Sequence, residues 1–575
     1  MAPICERFVV IPSGDGCARS LACRTMVRFL EEELGADVAL GREAVDQAGL
    51  VQLTVDPCAD VVVGSGTNAR PGAGCAASQA GQAGRAVEAG PEAFRITGCD
   101  TSGSGAGLPN IHILARSEAG LLYGVEEVMA HYRLRRTFPI VDRVYSPTCA
   151  VRGMKGLHWN PDDYLSMLDF LPACKFNFLM LCYGMAPEHC RRFRDPYSDE
   201  HLEAIARIVQ GAQERFATVC VAINPSLRAV PQARYSGDDD LKLVVDKFRA
   251  SYDLGVRCFA LALDDISLEL QRPEDRVAYR SLGEAHVDFT RRLHDALLSM
   301  DSHNRLILCP TTYFTRHAHA YPDYTRAIAE GIPDDVELFW TGPDWNSVSI
   351  TYEDACEYAG LVGRKPFLWL NYPVNDYLRP EPWRLVLAPT AMRCNRLPSM
   401  VTGVITNPMR QVEASKLALW SIARYVWDPG SYDPGVALEE ACAVVSAEYG
   451  CPADTLLAVA RAYIGAYNPL TDLAGLASGM TDSALYEMEG RLTQAAYSVR
   501  QLLPGLRAQL GAGRLYRELD QGLVRFLNFA DAFTMSRCAD RLGGSVRRHG
   551  LGSDALADAS HFVRLAEDAA RSVWA

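Results

Sequence analysis

A chain of 575 residues that is 49% hydrophobic and 22% charged has a globular composition and exceeds what one hydrophobic core can organise, so about two to four domains are expected. The formal net charge of −13 argues against nucleic acid or an anionic membrane surface as the main partner. The opening residues, Met-Ala-Pro-Ile-Cys-Glu-Arg-Phe, lack a basic stretch followed by a long apolar run, so no secretory leader is expected, and no apolar run reaches the length of a membrane span.

Residues 1–148 alternate short apolar runs with Gly/Ala-rich loops. Val9-Val10-Ile11, Asp60-Val61-Val62-Val63, Ala93-Phe94-Arg95-Ile96 and Asn110-Ile111-His112-Ile113-Leu114 read as strands. Ser117 to Tyr132, with Leu121, Leu122, Val125, Val128 and Met129, reads as an amphipathic helix. Together these predict a small N-terminal α/β domain. The Gly-rich stretch from Gly64 to Gly90 lacks a Gly-Lys-Ser/Thr and is read as a surface loop rather than a phosphate cradle.

From residue 149 to 430 the rhythm changes, and short apolar runs recur with helical patterns between them. Eight strands are predicted: Val151–Gly156, Phe176–Cys182, Thr218–Ile223, Arg257–Leu263, Arg305–Cys309, Val336–Trp340, Pro366–Leu370 and Met400–Thr406. Eight such units fit the length of a (β/α)8 TIM barrel, with a doubly wound open sheet as the competing arrangement. Residues 431–575 are Ala/Leu/Arg-rich with helical spacing, as in Ser483–Leu503 and Gly513–Phe533, and predict a C-terminal helical bundle.

The 18 cysteines are scattered, with no Cys-x-x-Cys pair, and several sit inside apolar runs (Cys182, Cys220, Cys258, Cys309). They read as reduced, buried residues of a cytoplasmic protein rather than as disulfides or zinc ligands, and no metal is expected. Lysine is scarce, at positions 155, 175, 242, 247, 365 and 416 only, a bias that fits a GC-rich, bacterial genome and carries no mechanism.

In a barrel, the residues just after each strand line the active-site mouth. Here they are Asp264-Asp265 after strand four and Pro310-Thr311-Thr312-Tyr313 after strand five. Strand six is followed by Thr341-Gly342-Pro343-Asp344-Trp345, strand seven by Asn371-Tyr372-Pro373-Val374-Asn375-Asp376-Tyr377, and strand eight by Asn407-Pro408-Met409. Each piece has an ordinary explanation: Asp-Asp and Asn375-Asp376 can cap helices, Asn-Pro makes turns, and Trp340 and Trp369 read as barrel core. Their joint occurrence on one rim suits a sugar, which needs carboxylates and amides for its hydroxyls and aromatic faces for its C–H side.

These residues resemble glycoside hydrolase family 84, the O-GlcNAcase-like β-N-acetylglucosaminidases, over about residues 110 to 435. The resemblance rests on Phe259-Ala-Leu-Ala-Leu-Asp-Asp-Ile266, Cys309-Pro-Thr-Thr-Tyr313, Phe339-Trp-Thr-Gly-Pro343, Leu368-Trp-Leu-Asn-Tyr-Pro-Val-Asn-Asp-Tyr377 and Thr406-Asn-Pro-Met-Arg-Gln-Val-Glu-Ala-Ser-Lys416. It implies a retaining, substrate-assisted mechanism in which the sugar's own 2-acetamido oxygen attacks C1 to give an oxazoline, an exception to the two-carboxylate scheme. By match, Asp264 would hold the acetamido N–H and Asp265 would be the general acid and then base. Tyr313 and Asn371 would bind the acetamide, Asp376 and Asn407 the ring hydroxyls, and the Gly156 backbone the sugar. The resemblance implies no cofactor, a GlcNAc-containing glycoside or glycoprotein as substrate, and room for a homodimer.

Two departures from the family pattern stand out. Lys155-Gly156-Leu157-His158-Trp159 replaces the usual Glu-Gly-Phe-Tyr-Gly, and Gly184 stands at the position of a sugar-contacting lysine. Lys155 is expected to supply the missing charge, and Trp159, Asp344 and Trp345 are expected to meet the aglycone. An inactive sugar-binding relative, or an enzyme processing another 2-acetamido sugar metabolite, remain open alternatives at this point.

Overall fold

The computed structural model describes residues 6–41, 49–56, 62–63, 87–88, 90–100, 108–227, 229–347, 349–376, 385–391, 394–466 and 482–549. Eight parallel strands close into a barrel: Val151–Lys155, Phe178–Leu181, Thr218–Ile223, Cys258–Ala262, Arg305–Cys309, Glu337–Trp340, Phe367–Pro373 and Gly403–Asn407. The ring is completed where Gly403–Thr406 pair in register with Val151–Met154. All eight strands overlap the predicted runs, although the seventh continues to Pro373 and the eighth to Asn407, so that Asn371 and Asn407 stand within their strands rather than after them; closure of the ring rules out the open sheet.

Strands buried on both faces give continuous apolar runs, and their alternation decides what fills the barrel. Phe178, Met180 and Cys182, then Cys220 and Ala222, then Cys258, Ala260 and Ala262 point inward, with Ile307, Cys309, Phe339, Phe367, Trp369 and Ile405 completing the interior cluster. Small residues on the third and fourth strands face phenylalanines on the second, sixth and seventh. The strand cysteines therefore act as small core fillers. Fourteen of the cysteines among the described residues, those of the strands included, are free.

The N-terminal residues form a six-stranded mixed sheet in the order Asp37–Leu40, Arg7–Pro12, Gly49–Val55, Pro109–Ala115, Phe94–Asp100, Asp142–Tyr145. The first four strands are mutually parallel, and Phe94–Asp100 runs antiparallel to both of its neighbours, Pro109–Ala115 and Asp142–Tyr145. Helix Glu118–Arg135 starts at Ser117, whose side chain accepts the Gly120 N–H, and buries Leu121, Leu122, Val125 and Val128 against the sheet. Three of these strands (Asp37–Leu40, Gly49–Val55, Asp142–Tyr145) were not anticipated. Val62–Val63, within the predicted strand Asp60–Val63, pairs antiparallel with Val87–Glu88 in a separate ribbon. Most of the Gly64–Gly90 stretch lies outside the described residues.

Beyond the barrel run helices Pro434–Tyr449, Ala453–Ala466, Asp482–Leu510 and Arg514–His549. Their apolar faces join the barrel's own core through Val445, Leu456, Leu492, Leu519 and Leu523. Among the described residues, no helix is long and apolar enough to cross a membrane.

Candidate active site

The C-terminal rim of the barrel encloses a cavity of about 530 Å³. Of the nine residues expected there, eight line it: Lys155, Asp264, Asp265, Tyr313, Trp345, Asn371, Asp376 and Asn407.

The acidic pair is built by the chain path. The fourth strand ends where the Leu263 N–H donates to the Cys309 carbonyl, and the Leu263 carbonyl accepts from Thr311 Oγ1 at 2.8 Å. Asp264 then continues inward and is buried, whereas Asp265 adopts φ 55 and is exposed. The left-handed backbone, tolerated best by Asp and Asn among non-glycine residues, is what turns adjacent side chains into different surroundings.

Asp264 Oδ1 accepts from Tyr183 Oη at 2.6 Å and from Asn224 Nδ2 at 3.1 Å. Burial, then the neighbouring Asp265 charge, pushes its carboxyl above the ordinary range, while the Tyr183 hydrogen bond and Lys155 oppose the rise. Asp265 Oδ1 accepts from Tyr313 Oη at 2.8 Å. Burial and the two carboxylates raise the Tyr313 phenol, so it remains a donor.

On the opposite side, amides and indoles form a chain. Asn371 Nδ2 donates to the Trp345 carbonyl at 2.6 Å, and its Oδ1 accepts from Trp369 Nε1 and Asn407 Nδ2, both at 3.0 Å. Asn407 is buried with its Oδ1 unpartnered, an acceptor held ready for a donor. Asp376 Oδ2 lies 3.0 Å from His158 Nε2. Burial raises the Asp376 carboxyl, but the His158 hydrogen bond, the His158 charge and Lys155 bring it below the ordinary range.

Lys155 is fully buried on the cavity floor, its Nζ 3.0 Å from the Trp369 ring centroid and 4.0 Å from Cys182 Sγ. Burial lowers its ammonium pKa, against the pull of Cys182, Asp264, Cys309 and Asp376.

Gly156 departs from expectation. It lies behind the wall, with its N–H directed to Tyr164 Oη and its carbonyl accepting from the same hydroxyl. An added Cβ would meet the Trp159 ring at 2.4 Å, so this glycine is required by packing. Trp159 is buried, donating its Nε1–H to the Met409 carbonyl, and does not line the cavity. Asp344 is absent from the lining and pairs with Arg316 at 2.9 Å. Trp340 is core, as expected, bonded to Thr315 Oγ1; Trp369 is also buried in the barrel interior, as expected, and in addition lines the cavity.

Sequence reading overlooked Tyr183, Asn224 and His158. Asn224-Pro225 directly follows the third strand, the same signal that marked Asn407-Pro408 after the eighth. Among the described residues, no group of three or more His, Cys, Asp or Glu is placed to hold a metal.

A closed parallel barrel whose C-terminal mouth gathers an acidic pair, carboxamides and aromatic faces defines the class: a (β/α)8 protein with its polar site at the C-terminal face. A family profile described as β-N-acetylglucosaminidase matches residues 149–458, more than half of the chain, and the chain belongs to that family of glycoside hydrolases, family 84. Rat and mouse protein O-GlcNAcase are each 26% identical to it, over 278 and 280 residues, 48% of this chain and 29% of each relative. The match thus spans under a third of those relatives' length. Among solved structures, CpGH84B superposes with a TM-score of 0.67 at 20% identity over 99% of this chain and 94% of that one. An Asp-to-Asn variant of the Thermobaculum terrenum O-GlcNAc hydrolase gives 0.58 at 24% identity over 74% and 94%. These likenesses are of fold.

Proposed function

We propose that the chain is a retaining β-N-acetylglucosaminidase that works by substrate assistance, releasing terminal GlcNAc from an intracellular glycoside or glycosylated protein. The observation that carries this reading is the inequality of the two adjacent carboxyl groups. Asp264 is buried and fixed by Tyr183 and Asn224; Asp265 is exposed and bonded only to a phenol among the contacts described. A fixed carboxylate suits the acetamido N–H and the positive charge that develops on an oxazoline. A carboxyl open to solvent suits proton delivery to the leaving oxygen and its later recovery from water.

In this reading the acetamido oxygen forms a bond to C1 as the C1–O bond to the aglycone breaks, and the aglycone oxygen takes the proton of Asp265. Water then adds to C1, its proton returning to Asp265 as the oxazoline opens. Tyr313 and Asn371 are assigned to the acetamide, Asp376 and Asn407 to ring hydroxyls, Lys155 to the cavity floor and Trp345, 40% exposed at the mouth, to the aglycone. A cytoplasmic setting is supported by the free cysteines. The chain is proposed to divide near residues 148 and 430; the N-terminal sheet has its own core, into which Trp427 is inserted, while the C-terminal helices share the barrel's.

Hydrolysis of an aryl β-N-acetylglucosaminide tests the reading. The wild type is expected to turn it over with retention at C1, and Asp265→Ala to lose most activity, more so for a poor leaving group than for a good one. No turnover by the wild type, or turnover indifferent to Asp265→Ala, would overturn it.

A further inference from the structure

His158 is a cavity residue that has no part in the reaction just described. It reaches the cavity from the loop after the first barrel strand, and its Nε2 stands 3.0 Å from Asp376 Oδ2. That loop is clamped from behind. The Gly184 N–H donates to the Leu157 carbonyl at 3.0 Å. A Cβ on residue 184 would lie 2.6 Å from the His158 carbonyl carbon and 2.8 Å from its Cα. No side chain can stand at position 184 while His158 is where it is.

The loop therefore does two things together: it occupies the room beside residue 184, and it delivers an imidazole to the Asp376 carboxylate that follows the seventh strand. A carboxylate with one oxygen committed to a ring N–H loses rotational freedom and offers its second oxygen in a fixed direction. A further charge acting on that carboxylate is Lys155, buried on the cavity floor.

We infer that His158 is a positioning residue for sugar binding: it fixes Asp376 so that the remaining carboxylate oxygen meets a ring hydroxyl, and the loop carrying it is why residue 184 is glycine. The inference rests on the cavity being a sugar pocket and not on hydrolysis, so binding is the quantity to measure.

A ligand-observed NMR titration with N-acetylglucosamine, on the full chain, compares wild type, His158→Ala, His158→Gln, Asp376→Asn and the His158→Ala/Asp376→Asn double variant. His158→Ala is expected to weaken binding about tenfold, with its melting temperature close to wild type, and His158→Gln, which keeps an N–H donor, to recover most of the loss. The double variant is expected to bind no more weakly than Asp376→Asn alone, because His158 acts through that carboxylate. Unchanged binding by His158→Ala, or losses that add in the double variant, would overturn the inference. A wild type that binds the sugar but cleaves no glycoside would remove the proposed reaction and leave this inference standing. A wild type that binds no sugar would remove both.

Discussion

Two neighbouring aspartates have different surroundings here because one backbone torsion separates them. Asp265 at φ 55 turns outward while Asp264 stays beneath Tyr183 and Asn224. Since Asp and Asn share a tolerance for this conformation, Asp265→Asn is expected to fold normally. Its kcat for an aryl β-N-acetylglucosaminide should fall by about 10²- to 10⁴-fold, the usual contribution of a positioned general acid/base. Tyr183 is open to a sharper test. Its hydroxyl donates to the charged form of Asp264 and so holds that carboxyl down against burial. Removing it in Tyr183→Phe raises the Asp264 pKa further. If Asp264 acts as an anion, the acidic limb of the kcat/KM profile already lies above the ordinary carboxylate range and moves to still higher pH in the variant. A limb that stayed fixed or moved down would show that Asp264 does not govern it. The acidic pair was legible in the sequence because it follows a strand. The unequal roles proposed for them came only from the family resemblance, since neither the torsion nor the hydroxyl arriving from another strand leaves a local signature.

Among the elements, the barrel strands were legible because strands buried on both faces produce unbroken apolar runs, as in Phe-Leu-Met-Leu at 178–181 and Cys-Phe-Ala-Leu-Ala at 258–262. Asp37–Leu40 and Asp142–Tyr145 escaped notice because they are edge strands with largely exposed side chains, which alternate weakly or not at all. Loop meaning was hidden for another reason. Gly184 could be read only as a missing lysine, whereas the structure shows it as a space already taken by the backbone of Leu157 and His158. Substitution tells the two readings apart. Gly184→Ala forces a Cβ onto backbone rather than onto a yielding side-chain tip, and is expected to destabilise by about 1–3 kcal/mol and to weaken sugar binding with it. Gly360, inside helix Tyr352–Val362 with nothing within 4 Å of an added Cβ, is the control. Gly360→Ala should stabilise by about 0.5–1 kcal/mol, since alanine only removes backbone freedom there. Urea denaturation of both variants measures the contrast, and equal, near-zero effects would mean that the first loop yields easily.

At the scale of the whole molecule, one guanidinium joins three parts of the chain. Arg424 belongs to the helix Val412–Trp427 that follows the eighth strand. It bonds to Glu127 of the N-terminal helix at 2.6 Å and, through two nitrogens, to Glu440 of the first C-terminal helix at 2.7 and 2.9 Å. Lys175, from the barrel, reaches the same Glu127 oxygen at 2.8 Å. Burial raises the Glu127 carboxyl, but the charges of Arg424 and Lys175 and their hydrogen bonds outweigh it and hold the group well below the usual carboxylate range. A carboxyl depressed in the folded state contributes stability above its unfolded pKa and loses it as the pH falls through the folded value. Arg424→Ala leaves Glu127 and Glu440 largely buried with one cation gone. Near neutral pH it should therefore cost about 3–5 kcal/mol, the range for breaking a buried pair by removing one partner. As the solution is acidified, Glu127 protonates in the variant before it does in the wild type, which relieves the unpaired charge, so the gap between the two proteins narrows. Denaturant unfolding at pH 7 and at mildly acidic pH measures both quantities. A gap that is small at pH 7, or that widens on acidification, would show that the N-terminal sheet is held to the barrel by its apolar contacts around Trp427 and not by this cluster.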